Sequence, residues 1–315
     1  SIIYVISEIT IKKKDEKMPK KDELNREGFA MSILEDIKSK KDLEHSYNYG
    51  LVGEWGSGKS FLMEMMYEKM QKDKSFVSFY FKPWEAPNEK EFAIQILNGI
   101  KSNSENYELE NKINKFLRKI ETDSSDVLTK IFTSLFSWLI SDDSSIDDIK
   151  RDISDYLKFN SKRLVIFLDD LDRLDQSEIK ELLRLMRNTF DIPYLFFIVG
   201  YDRNYICKTL GFEEFEFDNY ISKFFQVRID IPLLNKDDLF KKYYKKLCFV
   251  LGFDEKDLDE EKKNKDLISA VFLDKIQTLR DYENIISSFD VAYRNLSDNC
   301  DWFTLFQLEV LRHKD

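Results

Sequence analysis

The plainest chemical signal in this chain is Gly53-Glu54-Trp55-Gly56-Ser57-Gly58-Lys59-Ser60, which has the spacing G-x-x-x-x-G-K-[ST] of a nucleotide-phosphate loop. Glycines let the backbone turn tightly with positive φ, so successive N–H groups converge on phosphate oxygens. A helix beginning at Lys59 adds the positive end of its dipole. Within this cradle, which runs from Gly53 through Phe61, Lys59 is expected to reach the β- and γ-phosphates. The Ser60 hydroxyl is expected to ligate Mg²⁺. Four of the nine glycines fall between Gly50 and Gly58, and a loop that merely turns the chain would not also need the lysine and hydroxyl.

A second signal follows the apolar run Arg163–Leu168: Asp169-Asp170-Leu171-Asp172-Arg173. A buried strand that delivers a carboxylate to the edge of a sheet is the other half of a phosphate-transfer site. Asp169 is expected to hold Mg²⁺, directly or through water, and Asp170 to polarise the attacking water. The competing structural reading is that Asp170, Asp172 and Asp175 cap the next helix. For Asp175 that reading is preferred, because Asp175-Gln176-Ser177-Glu178 has the form of a capping box before Ile179, Leu182, Leu183 and Met186. For Asp169 and Asp170 the preceding strand favours the metal and the water. Asn235-Lys236-Asp237-Asp238 matches the guanine-reading pattern N-K-x-D. With no D-x-x-G to accompany it, Asn235 is expected to be a helix cap and the nucleotide to be ATP.

These residues need a scaffold, and the hydrophobic pattern supplies one. Tyr49–Val52 reads as a short strand entering the loop, followed by Phe61, Leu62, Met65, Met66 and Met70 at helical spacing. Phe76–Phe81, Arg163–Leu168 and Tyr194–Val199 read as further strands, the last two continuous enough to be central and parallel. Phe225, Val227, Ile229 and Ile231 alternate with polar residues, as an edge strand would. Helical stretches separate the strands, which predicts a doubly wound parallel α/β sheet. The expected organisation is a lead-in over residues 1–24, a core over 25–232 with a helical insertion at about 89–158, and a C-terminal helical lid domain over 233–315.

Composition bounds the rest. At 315 residues, 43% hydrophobic and 34% charged, with a formal net charge of −10, the chain describes an acidic, core-forming protein with no strong nucleic-acid signal. Three cysteines and two histidines show no metal spacing, excluding zinc chemistry and a Ser/His/Asp triad, and fit a reducing cytoplasm. Val127–Ile140 is the most apolar stretch and falls short of the ~20 residues of a membrane span. A buried or interfacial helix is expected there, and membrane association is not.

The chain resembles the KAP family of P-loop NTPases, which includes bacterial phage-exclusion proteins and a eukaryotic membrane scaffold. The resemblance rests on Asp22-Glu23-Leu24-Asn25-Arg26 with Phe29-Ala30, the GEWGSGKS loop, Phe81-Lys82-Pro83-Trp84, Leu168-Asp169-Asp170-Leu171-Asp172-Arg173, Phe197–Arg203 and Tyr220–Val227. It implies a five-stranded parallel sheet of order 5-1-4-3-2, with the loop strand between the fourth and fifth. It also implies Asp202 at a sensor position beside the γ-phosphate, and Arg280 as a lid arginine that reads nucleotide state. The expected function is an Mg²⁺-dependent ATPase that acts as a switch or assembly motor in antiphage defence, as a homo-oligomer with an effector protein partner. The alternative is an ATP-binding scaffold with little turnover, and a small-molecule kinase is disfavoured by the paired aspartates. Arg173 and Arg203 either serve a neighbouring subunit's nucleotide or pair with aspartates of their own chain, such as Asp172 or Asp202.

Overall fold

An uninterrupted apolar run is stable as a strand only when both of its faces are covered. The computed structural model describes residues 26–85, 89–102, 107, 109–111, 113–114, 146–232, 236–252, 278–296 and 300–313. Helix α1 (Glu27–Ser39) precedes strand β1 (Tyr47–Val52), the phosphate loop and α2 (Lys59–Gln71). Strand β2 (Phe76–Phe81) ends in a tight helical turn at Pro83–Glu85 and is followed by α3 (Glu89–Ser102). Helix α4 (Ile146–Phe159) leads into β3 (Arg163–Leu168), a turn at Leu171–Arg173 and α5 (Gln176–Arg184). Then come β4 (Leu195–Tyr201), α6 (Arg203–Leu210), α7 (Glu214–Ile221) and β5 (Val227–Asp230). Three further helices follow: α8 (Lys236–Leu251), α9 (Leu279–Leu296) and α10 (Trp302–Arg312).

The strands form one sheet in the order β2-β3-β4-β1-β5, and every neighbouring pair is parallel. This is the expected order read from the other edge. In β3, Leu164, Ile166 and Leu168 point to one face and Val165 and Phe167 to the other. The first set packs with Leu157, Ile179, Leu183 and Phe217 of α4, α5 and α7. The second packs with Ala30, Ile33 and Ile37 of α1 and Leu62, Met63 and Met66 of α2. Helices therefore cover both faces, as the continuous runs require. The C-terminal helices bury a separate cluster that includes Tyr244, Leu247, Ile285, Phe289, Phe306 and Val310.

Strand ends depart from the sequence expectation in instructive ways. Strand β1 begins two residues earlier, because Tyr47 already pairs with Phe196. Strand β4 runs on to Tyr201, since Gly200 and Tyr201 pair with Leu51 and Val52. Strand β5 starts only at Val227, because the Phe225 N–H still bonds to the Ile221 carbonyl and closes the end of α7. Its exposed Arg228 and Asp230 alternate with half-buried Val227 and Ile229, the wet face expected of an edge strand. Residues 1–24, Val127–Ile140 and Asn235 lie outside the described residues. Among those described, no helix is long and apolar enough to cross a membrane.

One edge contact is unusually tight. A Cβ on Gly99 of α3 would run into the Phe79 ring of β2. Gly99→Ala should therefore force the ring or the helix to shift, at the ~1–3 kcal/mol typical of overpacking. Guanidinium denaturation should show a lower midpoint with an unchanged slope; an unaltered midpoint would show that α3 stands further from the sheet.

Candidate functional site

The phosphate loop is shaped by two glycines in the left-handed region, Gly56 at φ 80° and Gly58 at φ 88°. Gly58 is the N-cap of α2 and offers no side-chain cap, so the first-turn N–H groups of that helix point outward without a side-chain acceptor at its start. The loop's carbonyls are held elsewhere. Lys59 Nζ donates to the Gly53 oxygen at 2.7 Å and to the Glu54 oxygen at 2.9 Å. From behind, Arg26 Nη1 donates to the Ser57 oxygen at 2.8 Å and more weakly to the Gly58 oxygen at 3.4 Å. Its Nη2 donates to the Pro232 oxygen at 2.9 Å, tying the loop to the segment after β5. Arg26 is only 3% exposed. The Ser57 hydroxyl is buried with no partner among the described residues and crowds Gly53, where a Cβ would stand 2.6 Å from Ser57 Oγ.

Opposite the loop, β3 delivers the acidic motif. Asp169 is 1% exposed; its Oδ2 accepts from the Tyr80 hydroxyl at 2.6 Å and its Oδ1 accepts from the Asp170 N–H at 2.9 Å. Burial pushes the Tyr80 phenol up, with the Asp169 charge adding to it, so Tyr80 is a firm donor. Asp170 adopts a left-handed conformation at φ 60°, which is uncommon for a residue with a Cβ. Its Oδ2 lies 3.2 Å from the donating Trp84 Nε1 and 3.3 Å from Arg173 Nη2. Arg173 thus pairs within its own chain, with Asp170 rather than Asp172. Asp172 is 7% exposed. Burial raises its carboxyl, opposed by a hydrogen bond from its own backbone and by Lys59. Burial lowers the Lys59 ammonium in turn, against the pull of Asp172, Asp202, Asp169 and Asp170. Asp175 makes the expected capping box, accepting from the Ser177 and Glu178 N–H groups while its own N–H donates to Glu178.

A third element closes on the loop. Asp202 caps α6, its Oδ1 accepting from the Asn204 and Tyr205 N–H groups, and its Oδ2 accepts from the Trp55 N–H at 3.0 Å. The structure therefore brings Asp202 to the phosphate loop itself. Arg203 pairs with Asp218 at 2.8 Å, not with Asp202. From the C-terminal helices, Thr278 approaches so closely that a Cβ on Gly56 would meet its Oγ1 at 2.9 Å. Exposed Arg280 stacks over the Trp55 ring, 4.8 Å from its centroid. Thr278 and Asp281 cap the start of α9 reciprocally, each N–H donating to the other's side chain. Lys59, Asp169, Asp170, Asp202 and Arg280, far apart in sequence, meet at one end of the sheet.

The loop's donor chemistry fits a polyphosphate: the N–H groups opening α2, a buried hydroxyl that has no partner among the described residues, and a lysine that bonds to the loop's own carbonyls. Among the described residues no group of three or more His, Cys, Asp or Glu side chains could hold a metal. A cation here would need hydroxyl, water and phosphate oxygens, as Mg²⁺ accepts. Sequence reasoning passed over Arg26 as a loop support and Tyr80 as the Asp169 anchor. Arg26 bonds to backbone 31 and 206 residues away, and no local pattern marks such a contact.

A parallel sheet with a phosphate loop after its first strand and an acidic pair after its third defines a P-loop NTPase. The model of the KAP family P-loop domain matches residues 26–296, and the chain belongs to that family. It is 23% identical over 91% of its length to the phage T7 exclusion protein of Escherichia coli (strain K12), and spans 44% of that protein. Two solved structures are also similar. The Aeropyrum pernix ORC2 protein, in ADPNP and ADP complexes, shares 15% identity over 92% of this chain and 68% of its own, at TM-score 0.45. Cdc6p from Pyrobaculum aerophilum shares 14% over 90% and 65%, at 0.43.

Two outcomes test this geometry. Arg26→Ala removes two charge-assisted bonds to the Ser57 and Pro232 carbonyls, each worth about 1.5–3 kcal/mol; urea denaturation should show the loss, and Arg26→Lys should not recover it because a point charge cannot fork. The second concerns pH. The raised Asp172 carboxyl holds a proton in the folded chain at pH values where the unfolded chain has released it, so stability falls as pH rises through that window. Asp172→Asn should therefore gain on the parent as pH rises above the ordinary Asp value of about 4; a constant difference in denaturation midpoint would refute the shift.

Proposed function

We propose that this chain binds Mg²⁺-ATP in the phosphate loop and hydrolyses it, working as a molecular switch or assembly ATPase. The observation that carries the reading is the meeting of the Lys59 loop with Asp169 and Asp170 at one sheet edge. On this reading the N–H groups of Gly56 and of Gly58 through Phe61 bind the phosphates, the rest of the Gly53–Phe61 loop shapes the cradle, and Lys59 exchanges its loop carbonyls for the β- and γ-oxygens. Ser60 and Asp169 would hold Mg²⁺, which supplies charge neutralisation of the phosphates. Tyr80 fixes the Asp169 carboxylate. Asp170 would orient and polarise water with the oxygen that Arg173 and Trp84 do not engage. Asp202 and Arg280 would relay nucleotide state, the first through the Trp55 N–H and the second from α9. We further propose that residues 25–232 form the nucleotide core and 233–315 a helical lid, which the separate apolar cluster of α8, α9 and α10 supports.

A role in antiphage defence is proposed from the phage-exclusion relative, of which this chain spans 44%. An effector partner, self-association and a cytoplasmic setting belong to the same proposal. A scaffold that holds ATP and turns it over rarely is the second reading, favoured by the grip of Arg173 and Trp84 on Asp170.

Titration with a fluorescent ATP analogue should show binding that Lys59→Ala abolishes. Asp170→Asn should retain that binding while steady-state phosphate release falls ~10²–10⁴-fold, the usual worth of a positioned base. Unchanged affinity in Lys59→Ala would sink the site, and release within threefold of the parent in Asp170→Asn, well below about 10²-fold, would move the water's partner elsewhere.

A further inference from the structure

Two tryptophans are conspicuously exposed beside the phosphate loop, Trp55 at 44% and Trp84 at 42%. Each ring has a cation against its face. The Arg280 guanidinium lies 4.8 Å from the Trp55 centroid, and Arg173 lies 5.8 Å from that same ring. Arg173 also lies 4.5 Å from the Trp84 centroid. Cation and ring alternate from α9, through the phosphate loop and the acidic turn, to the end of β2. The row terminates on one atom: Asp170 Oδ2 meets both Trp84 Nε1 and Arg173 Nη2. Trp55 is also fixed through its backbone, since its N–H donates to Asp202. The neighbouring Gly56 presses on Thr278, just ahead of Arg280.

Asp170 needs such support. Its left-handed backbone at φ 60° persists only where the surroundings over-determine it. A carboxylate that must aim one oxygen at a water also needs its other oxygen pinned. We propose that Trp55 and Trp84 are positioning residues, which with Arg173 and Arg280 form a single cation–π row that sets the Asp170 carboxylate and links its placement to α9. This rests on Asp170 acting in ATP hydrolysis, as proposed above. In the row, Trp84 binds the carboxylate directly and carries Arg173 on its face. Trp55 holds Arg173 from the other side and hands the far end to Arg280. Displacement of α9 from the loop removes Arg280 from Trp55 and loosens Arg173 against Asp170. Trp55 thereby acts on the reacting end through Arg173, without touching substrate.

The test has a nucleotide-free arm and a turnover arm. Without nucleotide, acrylamide quenching of the emission component lost in Trp55→Phe should rise when Arg280 or Arg173 is changed to alanine. Unchanged quenching in both would break the row. In steady-state phosphate release, Trp55→Ala should lower kcat at least fivefold with KM for ATP within twofold, whereas Trp55→Phe, which keeps a ring, should retain more than half of kcat. Combining Trp55→Ala with Arg173→Ala should add little to the loss from Arg173→Ala alone, because both changes interrupt the same row. An unaffected kcat in Trp55→Ala, or losses that multiply in the double variant, would overturn the inference. Absence of ATP turnover in the parent protein would instead refute the proposed hydrolysis, and the quenching arm would still decide whether the row exists.

Discussion

A loop that offers the first-turn N–H groups of a helix to a ligand must dispose of its own carbonyls. Every other feature of this site depends on how that is done. Here two cations take those carbonyls. Lys59 bonds to Gly53 and Glu54 from within the loop, while buried Arg26 bonds to Ser57, Gly58 and Pro232 from behind. A forked guanidinium suits the second task because its donors are planar and fixed in direction. Since one of its bonds reaches Pro232, the loop's shape and the exit from β5 toward the C-terminal helices are set by the same side chain.

The acidic side is built under the opposite strain, too much negative charge in too little water. Asp169 and Asp172 are both buried close to Lys59, and Asp170 lies between them in sequence. Each carboxylate is handled differently. Asp169 is bonded by Tyr80 and a backbone N–H, Asp170 is countered by Arg173 and Trp84, and Asp172 is raised by its burial. Groups in unlike environments can do unlike work within five residues. Burial still lowers the Lys59 ammonium, against the opposing pull of four surrounding carboxylates.

The KAP family assignment and the sheet order describe a scaffold shared by many activities. On that scaffold this chain sets a row of rings and guanidinium groups over the acidic turn, with the close approach of Thr278 to Gly56. Both place the start of α9 against the loop, so the C-terminal helices are coupled to the site by packing as well as by charge.

The phosphate loop, the acidic pair and the strands that carry them were legible in the sequence because each is local. A glycine spacing, a lysine before a serine, and an apolar run before two aspartates act within a few residues of one another. The capping box at Asp175 was legible for the same reason. Strand ends were less so, since Tyr47 and Tyr201 are strand residues only because β1 and β4 lie side by side. The partners of Arg26, Tyr80, Arg173 and Arg203 were decided by tertiary structure alone. Long flexible cations bond to whatever carbonyl or carboxylate the fold sets within reach, so Arg203 found Asp218 and Arg173 found Asp170. Sequence spacing specifies which backbone turns a segment can make; only the packed sheet fixes which distant side chains those turns bring together.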